Sequence, residues 1–103
     1  MVYNLIITDE AEERLIRATN YLLHELKNFQ AAIHLYDEVE SVYGRLEENP
    51  WQFPYCQSEN LYERKLHQAV LSTMNYSIIF KIIDQQVFVI GIFHDSENYS
   101  DKL

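Results

Sequence analysis

The sequence predicts an α+β domain: an N-terminal strand, then a helical hairpin packed on one face of an antiparallel sheet that three C-terminal strands complete. Three observations predict it. The chain opens on a short β-branched and aromatic run. Two stretches with apolar residues at helical spacing follow, separated by a few residues only. After a loop holding both prolines come three stretches of strand character. With 48% apolar and 14% aromatic residues and only two Gly and two Pro, the composition supports a packed core and excludes a disordered chain. The length of 103 residues fits a single domain spanning residues 1–103.

The first strand is expected from Val2 to Thr8 (VYNLIIT), a run too short for a stable helix. Asp9 is the expected cap of the first helix, since its carboxylate can accept free N–H groups of the first turn, with Glu12 three residues on. Ala11, Leu15, Ala18, Leu22 and Leu26 then line one face. Asn28 caps the second helix, whose core face is Ala32, Leu35, Val39, Val42 and Leu46. Asn49-Pro50 ends it, because proline lacks the N–H that the next turn needs. So short a link makes the helices antiparallel neighbours.

Residues 49–60 (NPWQFPYCQSEN) read as an irregular loop pinned by Trp51, Phe53 and Tyr55. Strands are expected over Tyr62 to Val70, Tyr76 to Ile83 and Val87 to Phe93, the last two joined by Asp84-Gln85-Gln86 as a hairpin. The polar tail HDSENYSDKL is expected to fray or to fold over the sheet edge, and the sheet face away from the helices to be solvated or used.

Charge is unevenly placed. The net value of -8 repels polyanions, yet residues 1–49 hold ten acids against four bases while residues 61–94 hold two against three, before His67 and His94 are counted. Cys56 has no partner for an intrachain disulfide, which points to a reducing, cytoplasmic setting. The first residues lack the basic start and apolar run of a leader, and no stretch approaches the roughly 20 apolar residues of a membrane span.

The stretch NFQAAIHLYDEVESVYGRLEENPWQFP, with Ala31-Ala32 and a Leu-x-x-x-Pro ending at Pro50, resembles the second helix and following loop of the RelE/ParE superfamily of toxins. The stretch YERKL…NYSIIFKIIDQQVFVIGIFHD is similar to the last three strands of that superfamily, including a basic strand and a final strand ending in Ile-Phe-His. The resemblance covers nearly the whole chain and rests on hydrophobic patterning. It implies the toxin half of a type II toxin–antitoxin module, silenced by a cognate antitoxin and touching operator DNA only through it, with no membrane partner and no cofactor or metal. Ribosome-dependent cleavage of messenger RNA comes first among the implied activities. The alternatives are inhibition of DNA gyrase without catalysis, and a non-toxic relative that keeps only the antitoxin site.

RNA cleavage by 2′-hydroxyl attack needs a proton acceptor, cations for the phosphate and a donor for the leaving oxygen. The positions that match the superfamily's ribonucleases are Arg64, Lys65, His67, Lys81, His94 and Tyr99. His94, directly after the last strand, is the first choice for proton transfer, and Arg64 is the expected phosphate clamp, since guanidinium offers two parallel donors. Strand alternation places Arg64 and Lys65 on opposite faces, and Ile79, Lys81 and Ile83 opposite Ile78, Phe80 and Ile82. His24 and His34 read as surface residues, and Cys56 lacks the basic neighbour of a nucleophile. One departure stands out: relatives often carry His-x-x-Arg after the last strand, whereas this chain has His94-Asp95-Ser96-Glu97, an anion in place of the cation.

Overall fold

The computed structural model describes residues 2–103. Its elements are β1 (Asn4–Ile7), α1 (Asp9–Asn20) running on into a π-helical turn (Tyr21–Glu25), α2 (Phe29–Glu48), a 3-10 turn (Pro50–Gln52), α3 (Glu59–Glu63), β2 (Leu66–Val70), β3 (Tyr76–Ile83), β4 (Gln86–His94) and a closing 3-10 turn (Tyr99–Asp101).

Thr8, rather than Asp9, caps α1. Its hydroxyl accepts the Ala11 N–H at 3.2 Å and donates to the Val89 carbonyl at 2.9 Å. A carboxylate can only accept, so Asp9 cannot make both bonds; it lies in the first turn with Glu10 and Glu12, where negative charge suits the helix dipole. Ala11 and Leu22 are buried as expected, and Leu15 and Ala18 pack against the core. Leu26 is 53% exposed. The π-helical turn holds more residues than an ordinary turn and takes Leu26 out of phase with the stripe. On α2 the expected face holds throughout: Ala32, Leu35, Val39, Val42 and Leu46 are all buried, and the Asn28 side chain accepts the Ala31 N–H.

Of the three loop aromatics, Phe53 alone is buried, edge-on to Phe80 at 5.9 Å, while Trp51 is 54% exposed. The strand expected from Tyr62 begins only at Leu66. Residues 59–63 form a helical turn fixed by buried Leu61, and Lys65 takes a left-handed backbone (φ 59°) that no strand continues through. Arg64 caps that turn, so the strand alternation expected for Arg64 and Lys65 does not apply.

The sheet runs β1-β4-β3-β2. It is mixed rather than antiparallel, because β1 lies parallel to β4 while β4, β3 and β2 are antiparallel in turn. At Ile79 and Phe80, which face Gly91 and Val89, β4 carries Ile90 as an extra residue. This bulge puts Val89 and Ile92 on the same face. Gly91 follows from the same geometry: a Cβ there would stand 2.3 Å from the Phe93 ring.

Two cores result. The larger lies between the helices and the sheet, where Ala69, Ile78, Phe80, Val87, Val89 and Ile92 meet the α2 stripe. The opposite face is partly covered by a smaller core of Cys56, Leu61, Leu66, Ile79 and Phe93, closed by Tyr99 and Leu103 of the tail. Ile79 and Lys81 thus face away from Ile78, Phe80 and Ile82, as alternation predicts.

Candidate functional site

The sheet separates the candidate residues. Lys81 pairs with Leu66 and Phe88 and shares the face of the smaller core. Tyr99 is on that side too, its hydroxyl donating to Gln68 Oε1 at 3.1 Å and its ring 5.2 Å from Phe93. Arg64 is exposed and gives one guanidinium N–H to the Leu103 carbonyl at 2.6 Å, and exposed Lys65 sits at the turn into β2.

His67 lies on the helix side and is 2% exposed. Its ring stacks between Tyr55 (4.2 Å) and Phe80 (5.2 Å), Trp51 meets it edge-on, and Nδ1 bonds to the Phe53 carbonyl at 3.1 Å. Burial pushes its pKa down, outweighing the hydrogen bonds to the Phe53 and Pro54 carbonyls, so the ring is held neutral near pH 7. It ties the loop to the sheet.

His94 also lies on the helix side, paired with Tyr76 across the sheet and edge-on to its ring at 5.0 Å. Its Nδ1 accepts the Ser96 N–H at 3.1 Å, which leaves Nε2 to carry the proton. Around it, in a cleft of about 220 Å³, stand Arg14, Arg17 and Tyr21 of α1, with Tyr76, Ile92 and Glu97. Glu97 turns inward: one oxygen meets Arg14 (3.1 Å) and Lys102 (3.0 Å), and the other accepts the His94 N–H at 2.8 Å. Burial alone would raise this carboxyl, but the His94 N–H and the Lys102 and Arg14 cations outweigh it and hold it at about 2. The anion found where relatives carry a cation is therefore internally paired. Arg14, Arg17 and Tyr21 share one helix face at spacings of three and four, a pattern readable in the sequence but hidden by the attention its acids draw.

A second feature is an apolar groove between α1 and α2. Hollows of about 330 and 210 Å³ share Thr19 and Tyr36 and are lined further by Ile16, Phe29, Ile33 and Tyr43. Ile16, Phe29, Ile33 and Tyr36 are each about half exposed or more, and Glu12, Asp37 and Glu40 stand among them. The Tyr43 hydroxyl is buried there without a hydrogen-bond partner among the described residues. Phe29, Ile33, Tyr36 and Glu40 form a second stripe on α2, beside the core stripe.

Cys56 is buried, and burial raises its thiol to about 11, far from a reactive thiolate. Among the described residues no group of three or more His, Cys, Asp or Glu is placed to hold a metal ion, and no helix is long and apolar enough to cross a membrane.

A helical hairpin over a mixed four-stranded sheet is the architecture expected of the RelE/ParE superfamily. A solved structure of the chromosomal ParDE TA system from P. aeruginosa contains a chain of similar fold, with a TM-score of 0.72 at 13% identity over 90% of this chain and 96% of that one. Residues 5–99 match the model for the ParE toxin of the type II toxin-antitoxin system parDE, and the chain belongs to that family. No curated protein matches the sequence.

Proposed function

We propose that this protein arrests growth by binding DNA gyrase in the cytoplasm, with no chemistry of its own, and that a cognate antitoxin silences it through the groove between α1 and α2. The reading rests on membership of the ParE family, whose members typically act on gyrase. One structural observation favours it over RNA cleavage: Arg64, Lys81 and Tyr99 lie on the side of the smaller core, but neither imidazole joins them. Lys81 and Tyr99 lie on one sheet face, His94 on the other, and His67 is sealed in an aromatic stack. General acid–base work needs its groups within hydrogen-bond reach of one reacting bond. In this reading Arg64, Lys65, His67, Lys81, His94 and Tyr99 form no catalytic set.

For the antitoxin, the half-exposed Ile16, Ile33, Tyr36 and Phe29 supply apolar anchor points, and the unpartnered Tyr43 hydroxyl supplies a donor for one buried acceptor. The acids along the groove select a segment that presents Lys or Arg rather than Asp or Glu.

The test is purified protein added to gyrase and supercoiled DNA, alongside ribosomal A-site mapping by primer extension during induction. Gyrase-dependent DNA breaks without A-site cuts are expected, and Lys81→Ala should keep them. A-site cuts that disappear in Lys81→Ala, with gyrase untouched, would restore the nuclease.

A further inference from the structure

We infer that the cleft between α1 and the ends of β3 and β4 is a binding site for a phosphate group, built from Arg17, His94, Tyr21 and Tyr76. The argument begins with scarcity. The chain has eight Lys and Arg against sixteen acids, yet two arginines and a histidine line this one small cleft with a single acid, Glu97.

That acid is occupied, since Arg14, Lys102 and the His94 N–H share its two oxygens. Arg14 in turn is held by Glu97 and lies over the Phe93 ring at 4.1 Å. What remains is a set of donors with nothing to donate to. Among the described residues Arg17 meets only Glu13, at 3.9 Å and with both side chains more than 60% exposed, a contact of little energetic value. His94 Nε2 and the Tyr21 and Tyr76 hydroxyls have no hydrogen-bond partner among the described residues.

The Arg17 guanidinium alone carries several N–H donors, so together with His94 Nε2 and the two hydroxyls the cleft offers more than the about four acceptor sites of a carboxylate, and the set matches the oxygens of a phosphate. The site holds whatever the cellular target is. Free phosphate, a mononucleotide and a nucleic-acid backbone all present the same group.

The experiment is a titration of the full chain with sodium phosphate at constant ionic strength, following the His94 imidazole and Arg17 side-chain signals by NMR, with sodium chloride as control. Saturable shifts of both signals are expected in the parent, and in Arg17→Ala the His94 shift should saturate about tenfold more weakly, because one charge-assisted bond contributes roughly that factor. Arg17 is exposed on its helix, so that variant tests binding without testing folding. Parallel titrations with AMP and a short single-stranded oligonucleotide identify the source: tighter binding of the oligonucleotide assigns the site to a nucleic-acid backbone, and equal binding to the free group. Absence of saturable shifts, or identical titrations in the parent and Arg17→Ala, overturns the inference.

Discussion

Replacing Glu97 with Gln removes one charge from the point where the tail, α1 and the end of β4 are tied together. The carboxyl is held at about 2 against an ordinary 4.5. Each pH unit of that gap corresponds to about 1.4 kcal/mol, so the charge contributes at most about 3 kcal/mol. Because 26% of the side chain is exposed, water screens part of it. Glutamine also keeps the acceptor for the His94 N–H. The expected loss is about 1–2 kcal/mol, a fall in Tm of about 5–10 °C for a domain of this size.

The pH dependence separates this account from simple loss of packing. A carboxyl whose pKa is depressed by folding stabilises fully above its unfolded value and loses that contribution as pH falls toward the folded one. The gap between parent and Glu97→Gln should therefore be complete above pH 4.5, about halved near pH 3, and closing toward pH 2. Urea unfolding of both proteins from pH 7 to pH 3, followed by tryptophan fluorescence, measures it. A gap that stays constant over that range, or none at pH 7, would refute the reasoning.

Thr8→Ala removes both the helix cap and the bond to Val89, and should cost about 1–2 kcal/mol, where Asp9→Ala should cost a few tenths; chemical denaturation of the pair compares them directly. Gly91→Ala forces a methyl against the buried Phe93 ring and should cost about 1–3 kcal/mol, read as a lower Tm with a changed near-ultraviolet dichroism from the smaller core. Tyr36→Ala removes an aromatic common to both hollows of the α1–α2 groove, and should weaken antitoxin binding by about 2 kcal/mol or roughly thirtyfold by calorimetry, while stability stays near that of the parent.

The residues by themselves determined the helical hairpin, the α2 core face, the β3 alternation and the family. These follow from local rules: a 3.6-residue or two-residue period shows which side of an element is apolar whatever it packs against. Tertiary structure decided what those rules do not carry. Propensity marks β1 as a strand but contains no direction, and only its bonds to β4 make it parallel. The π-helical turn that exposes Leu26, and the bulge at Ile90 that puts Ile92 beside Val89, are packing solutions that interrupt the local period.

The site followed the same division. Residue types nominated His94, Arg64, Lys65, His67, Lys81 and Tyr99 one at a time, but which sheet face each occupies depends on strand order and register. His67 carries an imidazole that the fold buries among aromatics. Glu97 reads as a repelling anion in one dimension, and becomes the partner of Arg14, 83 positions away, in three. Electrostatic pairing depends on distance through space, and the fold alone sets that distance.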